Sequence, residues 1–508
     1  MNVNQVFHHA ALAAALLSLA GCMSGPDYKR PVFSPPAAYK EKGLWNPAQP
    51  KDADANQPWW TRYGDADLIA LVAQANAASQ DIRIAEAQYR QARAAARLAR
   101  AGFAPTLGAG VSVGRARTQT TNGPATAGSN TLVLDAGWEP DIWGRLRRSV
   151  EAGEASAQAS AADLAAARLS IQAELVQDYL QLRITDAQKN LLVHTAEEYR
   201  RALALTRSQH AAGVVTRADV ALADTQLQST NAQAIDLDMQ RTQLEHAIAI
   251  LTGRAPADLS IAARPADALG LVLPEVPAGL PSELLERRPD IAAAERRVAA
   301  ANAGIGVAQS AYFPNLVLTA SGGFASASFS QWTDAPSRIW SLGAALAATL
   351  FDGGARRAQT DAAMAAYDAA VAQYKRTVLS GLQEVEDNLA ALRELGEERA
   401  RQDAAVAAAT VAARASLAQY RAGTATYIAV VTSQTMLLSN QRSAVQLLGR
   451  QLAASAALVK ALGGGWNTAE LAGVAASPAT ESSDGLAAAS NTRSAITSAP
   501  LDSAAPRI

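Results

Sequence analysis

Between Pro140 and Pro256 the chain has no proline, and from 144 to 212 only Gly153 disfavours a helix. Inside this stretch Leu169, Ala173, Val176, Leu180, Ile184, Ala187 and Leu191 recur at close to the helical period, marking one buried stripe. Its 69 residues (144 through 212) make a rod of about 100 Å at about 1.5 Å per residue, whereas a small domain is about 30 Å across. No compact domain can contain it. The same text returns at 355–422. Asp81-Ile82 recurs as Asp290-Ile291, Ala85-Glu86 as Ala294-Glu295, Pro105 as Pro314, Gly144 as Gly353 and Asp178 as Asp387, each pair 209 residues apart. Gly213 and Gly423, then Gly253 and Gly463, are 210 apart, so one residue was inserted between. The body is a tandem duplication.

Within each unit the period changes. Residues 67–101 are proline-free and rich in Ala, Arg, Gln and Glu, which predicts one helix ending before Pro105. Leu107, Ala109, Val111 and Val113 then alternate with Gly108, Gly110, Ser112 and Gly114, the period of a strand with one apolar face. Leu132, Leu134, Ala136 and Trp138 continue the alternation after a turn, and Leu316, Leu318, Ala320, Trp340, Leu342, Ala344 and Leu346 repeat it. Gly213 and Gly423 cap the long helices, and return helices run to Gly253 and Gly463. The two shorter helices of a unit together nearly equal its long one, so the economical packing stacks them end to end beside it. Strand hairpins then lie at one end of a rod and glycine turns at the other.

Four strands cannot close a membrane barrel, which needs about eight at least, and an open edge in lipid leaves backbone groups unsatisfied. Several chains would have to share one barrel; three would supply twelve strands. The strand pattern is equally satisfied by a soluble β-layer on a helical rod.

Composition narrows the partners and the chemistry. Lys and Arg total 45 against 46 acids, net −1, which excludes nucleic acid as the main partner. Aromatics are only 5%, and alanine supplies much of the apolar content, as suits closely packed helices. A single cysteine rules out an intrachain disulfide, and His8, His9, His194, His210 and His246 lack metal-ligand spacing. Gly108 to Gly114 misses the dinucleotide fingerprint, and Glu384, Glu386 and Asp387 read as solvated or lumen-lining helical acids. The chain is not expected to be an enzyme, nor to need a metal or other cofactor.

The apolar run 10–20 has the length of a signal-peptide core rather than a membrane span. LAGC at 19–22 resembles a bacterial lipoprotein box, with Cys22 the acylated first residue of the mature chain, although the leader lacks Lys and Arg. Met23 after the cysteine points to the outer membrane. The expected division is a signal peptide 1–21, a lipidated proline-rich strap 22–60, a first repeat 61–264, a linker 265–281, a second repeat 282–466 and a disordered tail 467–508.

GPDYKRP (25–31), WEPDIWGR (138–145), GLPSELLERRPDI (279–291), Phe313-Pro314, FDGG (351–354), EVEDNL (384–389) and ALGGGW (461–466) occur in this order. With them the chain resembles the outer membrane factor family of tripartite efflux channels, the TolC-like proteins, in their NodT-type lipoprotein branch. The resemblance implies a mainly α fold with membrane β. Long antiparallel helical hairpins form a periplasmic α-barrel, and four strands per chain contribute to a 12-stranded β-barrel shared by a homotrimer. It implies an outer membrane duct passing drugs or other small molecules from an inner-membrane pump, of the resistance-nodulation-division class, and its periplasmic adaptor. Diacylglycerol and an acyl chain on Cys22 would anchor it in outer membrane lipid, with the body extending into the periplasm. Two other readings stay open, a duct for type I protein secretion and a lipid-tethered periplasmic spacer without a channel.

The resemblance also places a gate. The Gly213 and Gly423 turns would form the periplasmic entrance, closed at rest and opened on docking. A tyrosine before the second turn would bond an aspartate beyond the first, here Tyr420 and Asp219, with Arg421 and Arg217 adding bonds. Acids that ring the pore in relatives are replaced here by Ala429 and Thr432, so an acidic ring would have to come from Asp219 and Asp224.

Overall fold

The structure, a computed structural model, describes residues 23–41, 58–121, 123–264, 273–274, 281–469 and 471. The signal peptide, Cys22, the middle of the strap, most of the 265–281 linker and the tail beyond 471 lie outside the described residues. Each repeat lays down one series of elements. The first consists of α1 (Ala66–Ala78), α2 (Gln80–Ala101), β1 (Thr106–Thr120), β2 (Gly123–Trp138), α3 (Arg145–Ala211) and α4 (Arg217–Leu251). The second consists of α5 (Leu284–Arg287), α6 (Pro289–Ser310), β3 (Asn315–Ser326), β4 (Arg338–Ala347), α7 (Ala355–Arg421) and α8 (Tyr427–Ala461). The long helices α3 and α7 have 67 residues each, about 100 Å at the helical rise.

α2 and α4 both lie along α3, and α6 and α8 run between α3 and α7. The end-to-end stacking inferred from lengths is therefore present, with one correction. The helix expected over 67–101 breaks at Ser79, which is extended at ψ 129°, without a glycine or proline to announce it. The cause lies in the return helix. Gly253 turns at φ +71° so close beneath α1 that a Cβ on it would sit 2.3 Å from the Ala78 carbonyl oxygen. In the second repeat Gly463 meets the Arg287 carbonyl in the same way, at 1.9 Å, where α5 ends and Pro289 starts α6.

The core gathers at this waist. Leu68, Val72, Leu175, Val176, Leu182, Ile248, Ile291, Val298, Val385, Leu452 and Leu458 belong to one buried cluster. Arg183, 1% exposed, runs through it. Its guanidinium donates to Tyr179 Oη at 3.0 Å, Asp186 at 3.1 Å and the Ala262 carbonyl at 2.8 Å. Arg241 donates to the other Asp186 oxygen at 2.8 Å, and Tyr179 donates to Asp65, the N-cap of α1, at 2.8 Å. A charge buried so deeply persists only when its partners surround it. This network clamps the segment after α4 to the long helix.

The four strands make one antiparallel sheet in the order β1-β2-β3-β4, so β1 and β4 are its unpaired edges. The register places Val111 opposite Leu132, Leu132 opposite Phe324, and Ala320 opposite both Ala136 and Leu342. One face is therefore apolar across all four strands, and it is bare in the single chain: Leu107, Trp340 and Leu342 are each more than three-quarters exposed. The opposite face carries Gly108, Gly110, Ser112, Ser321, Ser341 and Gly343, small or polar. Among the described residues no helix is long and apolar enough to cross a membrane.

The WEPDIWGR segment makes the bend from sheet to rod. Asp141 accepts the backbone amides of Leu146 and Arg147, both at 2.9 Å, capping α3. Glu139 takes the Arg145 guanidinium at 3.0 and 2.7 Å. Trp143 stacks on Phe313 at 4.8 Å and donates to the Pro314 carbonyl at 2.7 Å. Residues 23–41 cross this bend as an extended strap. Arg148, 1% exposed, donates to the carbonyls of Ser24 at 3.0 Å and Gly25 at 3.1 Å and to Asp27 at 3.0 Å.

Candidate gate and membrane collar

Both glycine turns lie at the end of the rod remote from the sheet. Gly213 and Gly423 adopt φ +70° and +73°, the left-handed conformation that ends a helix without a Cβ clash. At the first turn the amide of Val214 reaches back to the Gln209 carbonyl at 2.8 Å and that of Gly213 to His210 at 2.9 Å. At the second, Thr424 reaches Gln419 at 2.9 Å and Gly423 reaches Tyr420 at 3.0 Å. These are matching Schellman closures, and each delivers a threonine N-cap, Thr216 and Thr426, to the return helix.

The side chains near the turns are arranged differently from the expected latch. Tyr420 is buried, and its hydroxyl donates to Gln209 Oε1 on α3 at 2.5 Å, so it does tie the second hairpin to the first. Asp219 is not its partner. Three residues beyond the N-cap, Asp219 accepts the Thr216 amide at 2.9 Å and its hydroxyl at 2.7 Å, while Thr216 Oγ1 accepts the Asp219 amide at 3.3 Å. This reciprocal capping box satisfies the amides at the start of α4 and holds the carboxylate on its own helix.

The other expected gate residues divide. Asp224 faces Arg207 of α3 at 3.7 Å and accepts from Gln228 at 3.1 Å. The Thr432 hydroxyl is turned back onto the Ile428 carbonyl at 2.9 Å. Arg217 and Arg421 make no side-chain bond or ion pair among the described residues. Arg421 instead joins Arg201, Arg414, His194 and Glu198 around a cleft of about 560 Å³ between α3, α7 and α8, a groove of net positive charge.

Two tyrosines escaped sequence reasoning. Tyr199 and Tyr427 are buried with Tyr420, Leu203, Leu227 and Val430 in a separate apolar cluster near the turns. Tyr427 meets Tyr420 edge-on at 5.3 Å. Burial first, then the neighbouring Tyr420, pushes its phenol up to about 12, so it stays neutral. The available signal was its position, 210 residues after the charged Arg217 of the first turn.

A rod whose far end is pinned by aromatics, and whose near end carries an apolar sheet with two open edges, belongs to the class of membrane conduits assembled from several chains. Comparison with known proteins makes the class specific. A family model described as outer membrane efflux protein matches residues 71–254 and 280–464, one match on each repeat. The pyoverdine export outer membrane protein OpmQ of Pseudomonas aeruginosa is 32% identical over 468 residues, 90% of this chain and 97% of that one. The toluene efflux pump outer membrane protein TtgF of Pseudomonas putida is 30% identical over 91% of this chain and 97% of its own length. The solved outer-membrane channel OprN superposes with a TM-score of 0.81 at 31% identity, over 88% of this chain and 100% of that one.

The chain belongs to the outer membrane efflux protein family, a family of channels rather than enzymes. Its fold is the TolC-like one, long helical hairpins with four strands per chain for a barrel that three chains share. It is the outer membrane channel component of an efflux system.

Proposed function

We propose that three copies of this chain form a passive duct through which small molecules leave the cell, handed over by an inner-membrane pump through a periplasmic adaptor. The observation that carries this reading is the sheet: an apolar face bare across four strands, two unpaired edges, and a rod of about 100 Å behind it. The relatives named for pyoverdine and toluene favour small-molecule cargo over secreted protein. A pump of the resistance-nodulation-division class would supply the energy. The positively charged groove of Arg201, Arg414 and Arg421 would receive the adaptor, whose docking would shift the tip from a closed to an open population.

Cys22 would carry the lipid. Support comes from the residue after it: Met23 lies against Gly144, where a Cβ would come within 2.6 Å of Met23 Cγ, at the bend between sheet and rod. Met23 is thus held at the sheet end of the rod, and an acyl chain on the cysteine before it would tether the protein without spanning the bilayer. Mass spectrometry of the mature N-terminal peptide checks this assignment; an unmodified Cys22 would remove it.

In planar bilayers the wild-type protein should insert as a channel of low conductance. Tyr420→Phe combined with Gln209→Ala should raise that conductance severalfold by freeing the second hairpin from α3. Unchanged conductance would discard the Tyr420–Gln209 gate, and failure to insert would discard the channel.

A further inference from the structure

The two edges of the single chain have complementary surfaces. On α2, Ile84, Ala87, Gln91, Ala94, Leu98 and Ala101 follow the alternating three- and four-residue spacing of a coiled-coil seam. This seam lies opposite the face of α2 that packs on α3, with Ile84 55% and Leu98 76% exposed. Arg83, Arg90 and Arg97 flank it along one side at seven-residue intervals. On α7 an equivalent bare seam, Ala358, Ala362, Ala365, Ala369 and Ala372, lies opposite the face that packs on α6. Asp361 and Asp368 flank it, again seven apart. None of these arginines or aspartates has a side-chain bond or ion pair among the described residues.

α2 runs toward the sheet and leads into β1, whereas α7 starts at the sheet after β4. β1 and β4 are the unpaired edges, so two copies that join edge to edge bring α2 of one beside α7 of the other, antiparallel. In that arrangement the flanking rows face each other on the same side of the seam. Their heights agree. Measured from the sheet-proximal helix ends Ala101 and Ala355, Arg97 and Asp361 lie about 6 and 9 Å down the rod, and Arg90 and Asp368 about 17 and 20 Å. Sliding α7 one heptad toward the sheet would set Arg90 against Lys375 and lose a pair.

We propose that α2 of one chain packs antiparallel on α7 of a second copy, with Arg97–Asp361 and Arg90–Asp368 as the rungs that set their register. This rests on the shared-barrel reading and adds to it the residues that align the copies. Small seam residues let the backbones approach, so the flanking charges are brought close. The wall of the conduit is incomplete without the neighbour's α7.

The test uses the full-length protein purified in detergent, with trimer dissociation followed against temperature on native gels. Arg90→Glu with Arg97→Glu should dissociate well below the wild type. Adding Asp361→Arg and Asp368→Arg should restore most of the loss, whereas Glu397→Arg and Asp403→Arg, farther down α7, should not. A quadruple variant as weak as the double, in a protein that is otherwise trimeric, overturns the register. A wild type that is monomeric in mild detergent overturns the shared-barrel reading instead, so the two failures are distinct.

Discussion

α3 and α7 are copies of one ancestral helix, equal in length at 67 residues, yet α3 buries 23 residues and α7 only nine. The difference is one of position. α3 is packed by α1, α2, α4, α6 and α8, whereas α7 has α6, α8 and the single turn of α5. Duplication supplied the same rod twice, and the fold used one as an interior spine and the other as an edge. An edge that long, bare and alanine-rich is what a ring of identical chains requires, since each copy completes the next.

Deleting one arginine from each rod separates spine from edge most sharply. Arg183→Ala removes the buried cation of α3 and leaves Asp186 short of a partner, at a cost of about 3–5 kcal/mol. Arg393 on α7 is 36% exposed and pairs with Glu394 at 2.7 Å and with Glu41 of the strap; its alanine variant should cost far less, because solvent screens an exposed pair. Denaturant unfolding in detergent measures both. Equal effects would contradict the assignment of spine and edge.

A smaller effect tests the spine through pH. Asp178 on α3 is pushed up to about 6 by burial, with Glu174 adding to the shift. The folded chain then holds this proton more tightly than the unfolded one, where an aspartate titrates near ~3.9. Stability from this group is present below that value and is lost as pH rises through about 6. Asp178→Asn should gain on the order of 1–2 kcal/mol at neutral pH and nothing near pH ~4. Melting curves at the two pH values decide it, and a gain independent of pH would refute the cause.

The smallest effect separates the two turns. Thr216 has its capping box with Asp219, but Thr426 has Ala429 at the matching position and makes no side-chain cap bond. Asp219→Ala should loosen the first turn of α4 by about 1 kcal/mol, and Ala429→Asp should tighten that of α8 by a similar or smaller amount. Hydrogen exchange of the amides following each cap reports the change. Conductance altered by Asp219→Ala as much as by Tyr420→Phe would restore Asp219 to the latch.

Much of this organisation was legible in the chain text. The stretch 144–212 contains α3 to within one residue at each end, and both glycine turns stand where the missing helix formers put them, because uninterrupted helix periodicity is a local property. The alternation from Leu107 to Gly114 located β1 but stopped short of Thr120. Arg115, Arg117 and Gln119 extend the strand on sheet pairing alone, after its hydrophobic pattern has ended. The break at Ser79 was illegible because its cause, Gly253, is distant in sequence. Tyr420 was found, yet its partner was not: Gln209 lies 211 residues away, and Asp219 satisfies a nearer demand, the amides of its own helix.

The central claim is that the protein is complete only as a closed ring of rigid hairpins. Electron cryomicroscopy of the purified protein in detergent tests it most directly. The expected result is a hollow cylinder with threefold symmetry, a helical part about 100 Å long and the mass of three mature chains. A solitary particle with an open sheet, or a ring in which α2 and α7 of neighbouring copies do not meet, would contradict it.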